Sequence, residues 1–298
     1  MTRTHAGREP AAHGGRLLAV FSITLATLAV QVVGSLLSGS LALLADAGHL
    51  GTDVAALGLA LLAAWFARRP ASASKTFGYR RVEILAAAVN AVLLLGVAGF
   101  VLVEASRRLA DPPEVQGAVM LAVALGGLAA NAVCLWLLHP AQAHSLNLRG
   151  AYLEVLGDLL GSAAVVAAAL VILVTGVRAA DPVASGLVAL AILPRTWHLL
   201  REAVDVLLEG APRDVDLDEV RRHIRQVPGV TGCHDLHAWT ITSGMPVLSA
   251  HVVVSEGTAP GRVLDALGDC LGEHFDIEHS TFQLEPAGHR DHEGRTCP

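Results

Sequence analysis

The chain has 298 residues, of which 53% are hydrophobic and 16% are charged. Soluble domains carry about 25% charged residues, so this composition argues against an ordinary cytosolic enzyme and indicates a membrane protein. The formal net charge is −6, and no long run of Lys or Arg occurs, so no nucleic-acid partner is expected.

Six apolar segments are long enough to cross a bilayer, which takes about 20 helical residues. They are residues 17–37, 41–66, 84–103, 115–138, 151–175 and 182–200. Basic residues near the ends of these spans collect on one side, and the positive-inside rule then places both termini in the cytoplasm. The sequence therefore predicts an α-helical membrane protein. We expect a cytoplasmic segment at 1–15 and a six-helix transmembrane domain at 16–208.

The composition changes after residue 208, where charged residues return. Periodicity and turn residues predict two helices and three strands, at 217–226 (helix), 231–242 (strand), 247–254 (strand), 261–275 (helix) and 280–284 (strand). This α-β-β-α-β order predicts a small cytoplasmic α+β domain of ferredoxin-like type. We expect it to span residues 209–286, with a disordered tail at 287–298.

Two pairs of ionisable residues lie inside the predicted spans. His49 and Asp53 are four residues apart on the second span, and Glu154 and Asp158 are four apart on the fifth. This spacing puts both members of a pair on one helix face. A charge at the bilayer centre costs at least about 2.5–3.5 kcal/mol, so such residues are usually functional. Opposed across a bundle, the pairs would offer a divalent cation one imidazole and three carboxylates.

The alternative explanation is that these polar groups only hold helices together. A single intramembrane His or Asp is explained equally well by one interhelical hydrogen bond. Two matched pairs of metal-ligand types fit that explanation poorly, because such packing needs one hydrogen bond and not four ligands. Asp46 precedes His49 by three residues and shares its face. We expect Asp46 to guide the metal inward or to support the ligands from behind.

Several motifs are similar to those of one family. The segment SLALLADAGHLGTD, residues 40–53, resembles the second span of the cation diffusion facilitators, which are proton-coupled exporters of divalent metals. Further similar motifs are FGYRRVE at 77–83, LEVLGDLLGS at 153–162, LEGAP at 208–212 and HDLHAW at 234–239. The resemblance covers about residues 16–286 and is nearest to the bacterial zinc-exporting, cobalt–zinc–cadmium-resistance branch. It implies a homodimer in the bacterial inner membrane, with a transport site in each protomer.

One position departs from the family pattern. Zinc members usually carry HxxxD in the fifth span, and here Glu154 takes the first place. An oxygen-rich site favours harder ions such as Mn²⁺ or Fe²⁺, although Zn²⁺ also accepts carboxylates. We therefore expect Zn²⁺ as the first substrate, with Mn²⁺, Fe²⁺, Co²⁺ or Cd²⁺ as alternatives. Three carboxylates in a low dielectric cannot all stay ionised, so metal binding is expected to expel protons.

The resemblance also implies a metal site in the cytoplasmic domain. His234, His251 and Glu285 match positions that bind metal in related exporters, and His237 and His279 lie near them in the sequence. Their expected role is metal sensing or stabilisation of the dimer. The alternative is that some are surface histidines of a solvated sheet. No cofactor is expected apart from Zn²⁺ or a related ion, as substrate and as regulatory ion.

Two other classes of function compete with transport. An intramembrane metallohydrolase would need an open coordination position and a base, typically in an HExxH motif, which the sequence lacks. No enzymatic activity is therefore expected. The other class is a membrane metal sensor that does not transport. A further possibility is that Glu154 has inactivated the transport site.

Overall fold

The structure is a computed structural model that describes residues 9–67, 69–139 and 146–289. The described elements, in chain order, are α1 (Glu9–Ser38), α2 (Leu41–Ala67), α3 (Val82–Ala110), α4 (Gly117–Leu138), α5 (Leu146–Thr175), α6 (Ala180–Leu207), α7 (Leu217–Gln226), β1 (Val230–Thr240), β2 (Pro246–Val254), α8 (Pro260–Phe275) and β3 (His279–Pro286). Parts of the predicted N-terminal segment, 1–8, and of the predicted tail, 290–298, lie outside the described residues.

Each of the six predicted spans falls on one of the helices α1 to α6. Within the described residues, five of these helices are long and apolar enough to cross a membrane, namely α1, α3, α4, α5 and α6. The remaining helix, α2, has 27 residues. Large apolar side chains such as Leu36, Trp136 and Val174 lie exposed along these helices. Such exposed apolar surface is expected where a helix faces lipid.

Five of the six helices are longer than the apolar segments that predicted them, whereas α4 begins at Gly117, two residues after the predicted start at 115. For example, α1 begins at Glu9 and α3 extends to Ala110. The reason is that backbone hydrogen bonding in a helix continues through polar residues after the apolar run has ended. Hydropathy therefore located the six helices but underestimated the length of five of them.

The chain forms two compact units. The first comprises the chain up to Leu59 together with Val89–Leu199, and the second comprises Ala60–Ala88 and the chain from Leu200 onward. Small residues bring helices of the first unit close together. A Cβ atom added to Gly34 would lie 2.6 Å from Cγ2 of Val123, and one added to Gly127 would lie 2.8 Å from Nε2 of Gln31. Close approach through glycine is typical of helix packing in membranes.

The start of α2 is capped by a side chain from α6. The buried carboxylate of Asp181 accepts hydrogen bonds from the backbone N–H groups of Leu41, at 2.8 Å, and Ala42, at 3.1 Å. It also accepts one from the hydroxyl of Ser40. The first N–H groups of a helix have no partner within the helix, so this carboxylate satisfies two of them. The cap fixes the first turn of α2, the helix that carries His49 and Asp53.

The second unit contains a three-stranded sheet in the order β1-β2-β3. The pair β1–β2 is antiparallel, while β2–β3 is parallel and is connected through α8. One face of the sheet packs against α7 and α8 through buried side chains that include Val220, Ile224, Leu248, Leu267 and Leu271. The observed order α7-β1-β2-α8-β3 agrees with the predicted α-β-β-α-β order.

Candidate metal centres

Three of the four predicted intramembrane ligands lie together. Nε2 of His49 on α2 is 3.2 Å from Oδ1 of Asp158 on α5 and 3.8 Å from Oδ2 of Asp53 on α2. One ligand atom from each residue lies within 4.8 Å of the other two. The side chains are mostly buried: His49 is 15% exposed, Asp53 21% and Asp158 7%. The two helices therefore form a small, mostly buried group of nitrogen and oxygen donors.

The polar atoms of this group are poorly satisfied by the protein. Among the described residues, Nδ1 of His49, Oδ2 of Asp53 and Oδ1 of Asp158 are buried without a hydrogen-bond partner. Buried polar atoms are normally hydrogen-bonded, so each exception calls for an explanation. A cation bound to Nε2 of His49 and to the two carboxylates would supply the missing interactions of Oδ2 of Asp53 and Oδ1 of Asp158. The donor set fits Zn²⁺ and similar divalent ions.

The fourth predicted ligand is oriented differently. Oε1 of Glu154 on α5 lies 3.2 Å from Nη2 of Arg195 on α6, and Glu154 is not part of the three-residue group. Glu154 is 38% exposed and Arg195 is 66% exposed, so both are more accessible than His49, Asp53 and Asp158. The role of Glu154 as a ligand stays a prediction. Sequence analysis did not identify Arg195 as the partner of Glu154. The position of this arginine within an apolar span could have marked it as a functional residue.

Asp46 is the centre of a buried polar network that joins four helices. Its Oδ2 accepts hydrogen bonds from Nε2 of Gln31 on α1, at 2.6 Å, and from the hydroxyl of Ser162 on α5, at 3.3 Å. Nδ2 of Asn131 on α4 donates to the same hydroxyl at 3.2 Å. Asp46 itself lies outside the three-residue group. Its role in guiding metal or supporting the ligands stays a prediction.

The second unit holds another group of metal-ligand side chains. His234 and His251 are directly opposite each other on β1 and β2, with ring centroids 5.2 Å apart. The buried carboxylate of Glu285 on β3 lies 2.8 Å from Nδ1 of His251 and 3.4 Å from Nε2 of His234. One ligand atom from each residue lies within 4.8 Å of the others.

The two histidines that sequence analysis placed near this group lie outside it. His237 is 3.3 Å from a carboxylate oxygen of Asp235, and His279 is exposed at the start of β3. The β1–β2 register shifts between His234 and His237, so simple strand alternation does not apply there. Sequence analysis missed Asp235, whose Oδ2 lies 3.8 Å from Nε2 of His251.

The family models match both parts of the chain. Residues 17–208 match the model of the cation efflux transmembrane domain, and residues 212–287 match that of the cytoplasmic domain of cation efflux proteins. The chain belongs to the cation efflux family. The resemblance to the cation diffusion facilitators is thereby confirmed.

Named relatives of this cation efflux protein match it over most of their length. It is 46% identical to the metal cation efflux system protein CzcD of Cupriavidus metallidurans over 284 residues, covering 95% of this chain and 90% of that protein. It is 46% identical to the zinc transporter ZitB of Escherichia coli over 272 residues, covering 91% of this chain and 87% of that protein. It is 38% identical to the cadmium, cobalt and zinc/H(+)-K(+) antiporter of Bacillus velezensis over 278 residues, covering 92% and 88%.

This cation efflux protein also has a polar contact that joins the first turn of α3 to the turn between β1 and β2. Glu83, at the start of α3, accepts hydrogen bonds from the hydroxyls of Thr242, at 2.7 Å, and Ser243, at 3.2 Å. Nearby, Nη2 of Arg81 lies 3.0 Å from Oε1 of Glu209. All these residues belong to the second unit. The hydrogen bonds of Glu83 connect the turn between β1 and β2 to the start of α3.

Proposed function

We propose that this protein is a proton-coupled antiporter that exports divalent metal ions, Zn²⁺ first of all, from the cytoplasm. The observation that carries the proposal is the group of His49, Asp53 and Asp158, whose ligand atoms lie within 4.8 Å of one another on apolar helices. Their buried, unpartnered atoms support a site for a cation. We retain Glu154 as the fourth donor, which reaches the ion when it leaves Arg195.

The choice of Zn²⁺ rests on the donor set and on the relatives. One imidazole with carboxylates is a combination that Zn²⁺ accepts in tetrahedral sites. The names of the relatives ZitB and the Bacillus antiporter refer to zinc, and the latter also to cadmium and cobalt. Because carboxylates outnumber imidazoles, Mn²⁺, Fe²⁺, Co²⁺ or Cd²⁺ is the alternative main substrate.

Proton coupling follows from the chemistry of the ligands. A metal needs the lone pairs of a neutral imidazole and of ionised carboxylates, so metal binding releases any protons that these groups hold. His49 faces two carboxylates at 3.2 and 3.8 Å, so the groups that would exchange protons for metal lie side by side. The name of the Bacillus relative describes exchange of metal for H⁺ and K⁺.

The proposed arrangement in the membrane follows the sequence. All six helices α1 to α6 cross the inner membrane of a bacterium, both termini are cytoplasmic, and residues 16–208 form the transmembrane domain. Residues 209–286 form a ferredoxin-like domain through which two protomers associate. The match of residues 212–287 to the cytoplasmic domain of cation efflux proteins supports this assignment. The remaining segments, 1–15 and 287–298, are proposed to be cytoplasmic.

The cytoplasmic group is proposed to hold a regulatory Zn²⁺ ion. Glu285 is only 1% exposed, and its Oε2 lacks a hydrogen-bond partner among the described residues. A buried carboxylate between His234 and His251 fits an ion that binds imidazole and carboxylate together. Bound metal would stabilise the sheet, because all three strands contribute a ligand.

The test is transport by the purified protein in proteoliposomes that contain a pH-sensitive dye. The vesicles are exposed in turn to Zn²⁺, Cd²⁺, Co²⁺, Fe²⁺ and Mn²⁺. We expect Zn²⁺-dependent proton flux in the wild type, loss of that flux in Asp53→Ala, and normal flux in Asp111→Ala. Asp111 is the matched control because it is an exposed acidic residue between α3 and α4.

The other outcomes separate the alternatives. Proton flux with Mn²⁺ or Fe²⁺ but not with Zn²⁺ would support the antiport mechanism and show that the main substrate is a harder ion than Zn²⁺. Absence of flux with every metal, with metal binding retained by His234, His251 and Glu285, would overturn the antiporter proposal and favour the membrane sensor. Zinc flux that appears only in Glu154→His would show that Glu154 has inactivated the site.

A further inference from the structure

Two histidines on neighbouring helices of the cytoplasmic domain lie outside the groups described above. His223 is on α7 and His274 is on α8, and their ring centroids are 5.0 Å apart with an angle of 46° between the planes. This separation is close to the 5.2 Å between His234 and His251, which share a group of metal-ligand atoms with Glu285.

The hydrogen bonds of these rings determine which nitrogen carries the proton. Nδ1 of His223 lies 3.0 Å from the backbone carbonyl oxygen of Glu219, and Nδ1 of His274 lies 3.0 Å from that of Cys270. A carbonyl oxygen only accepts hydrogen bonds, so each Nδ1 must be the donor. In the neutral imidazole, the lone pair is then on Nε2. Histidines that bind metal almost always donate their other ring N–H in this way.

Packing restricts the movement of the pair. The ring of His223 also contacts the ring of Phe275 edge-on, at a centroid distance of 5.1 Å. The helices themselves are anchored in the core of the domain, through Ile224 on α7 and Leu271 on α8. His223 is half-buried and His274 is exposed, so solvent ions can reach the pair. Less rotational freedom is therefore lost on binding than for two unrestrained surface histidines.

This pair is separate from the group formed by His234, His251 and Glu285. The neighbours of His251 on β2, Ala250 and Val252, are in the core beneath α7 and α8. Because successive strand residues point to opposite faces, His251 lies on the other face of the sheet. The pair on α7 and α8 thus belongs to the helical layer.

We propose that His223 and His274 form an additional divalent-metal site, which takes Zn²⁺ or another ion that prefers imidazole, with water completing the coordination. Tetrahedral Zn–N bonds of about 2.0–2.1 Å place two bound nitrogens about 3.3 Å apart. Ring centroids 5.0 Å apart are compatible with that spacing. A bound ion would link α7 to α8 on the surface of the cytoplasmic domain. The proposal does not depend on transport.

The test measures Zn²⁺ binding to the full-length protein in detergent, by equilibrium dialysis and elemental analysis. The variants are His223→Gln, His274→Gln and the double variant, with His279→Gln as a control that removes one exposed imidazole from the same domain. We expect each single variant to bind about one Zn²⁺ fewer per chain, with the affinity of that site reduced at least tenfold. The double variant should lose no more bound Zn²⁺ than either single variant, because the two rings together hold a single ion.

Two results would overturn the proposal. Unchanged stoichiometry in both single variants would show that the pair binds no metal. A double variant that loses twice as much as each single variant would show two independent surface histidines. Circular dichroism checks that the variants are folded, and their Zn²⁺-dependent proton flux is measured separately. Normal flux with altered binding would distinguish this site from the transport site.

Discussion

Arg195 balances the charge of the proposed transport site. Asp53, Asp158 and Glu154 together carry three negative charges when ionised, and a divalent ion neutralises two of them. The guanidinium of Arg195, with its Nη2 at 3.2 Å from Oε1 of Glu154, neutralises the third. Substituting this arginine with glutamine removes one positive charge and releases the Glu154 carboxylate. We therefore expect Arg195→Gln to strengthen the attraction of the site for its metal.

The expected magnitude is limited by exposure. At 3.2 Å and an effective dielectric constant of about 20, two unit charges attract by about 5 kcal/mol. Glu154 and Arg195 are 38% and 66% exposed, so solvent screens most of this interaction. Measured exposed pairs contribute about 0.2–1 kcal/mol. This range corresponds to a decrease of about 1.4- to fivefold in the apparent KM for Zn²⁺.

The assay is the initial rate of Zn²⁺-dependent proton flux in proteoliposomes over a range of Zn²⁺ concentrations. Glu154→Gln should raise KM, because Arg195 then repels the metal without compensation. The double variant should fall between the two single variants, since both charges are removed. Arg178→Gln is the control, because Arg178 forms an ion pair with Glu114 at 2.6 Å and neither residue belongs to the group of His49, Asp53 and Asp158.

A rise in KM in Arg195→Gln would refute the charge-balance reasoning and indicate that Arg195 supports metal binding. Equal changes in Arg195→Gln and Arg178→Gln would show a general effect of surface charge. Absence of flux in the wild type would count against the proposed function and would leave this comparison without a baseline.

Three further predictions concern stability and reactivity. Asp181→Ala should destabilise the protein by about 1–3 kcal/mol, because two N–H groups of α2 lose a buried carboxylate acceptor. The measurement is the thermal unfolding midpoint in detergent, with Asp111→Ala as the control variant. Leu271→Ala should cost about 2–5 kcal/mol in chemical unfolding of the cytoplasmic domain, because its side chain is fully buried, whereas exposed Leu264→Ala should cost far less. Burial raises the pKa of the Cys233 thiol. The native protein therefore holds this proton more strongly than the unfolded chain, so thiol labelling should be slow, and the stability contributed by this thiol should be lost as the pH rises above about 8.5. Labelling that is equally fast in native and unfolded protein would contradict this.

Local sequence patterns identified the candidate metal ligands but not the side chains that these ligands contact on other helices. His49 and Asp53 share a helix face because four residues make about one turn, a relation that holds wherever the helix packs. Their approach to Asp158 depends on which helices are neighbours and how each is rotated. The same rotation places Glu154, one turn earlier on α5, against Arg195. Helix spacing alone could not reveal that contact.

Composition and periodicity determined the class of protein, the positions of the helices and the order of elements in the cytoplasmic domain. These features depend on interactions between residues close in the sequence and on the transfer of apolar side chains out of water. Three contacts were visible only in the tertiary structure. They are the hydrogen bond of Gln31 to Asp46, the cap that Asp181 provides for α2, and the ring contact of His223 with His274. Each of these contacts joins separate elements. Their geometry depends on how whole helices pack, which no short sequence pattern specifies.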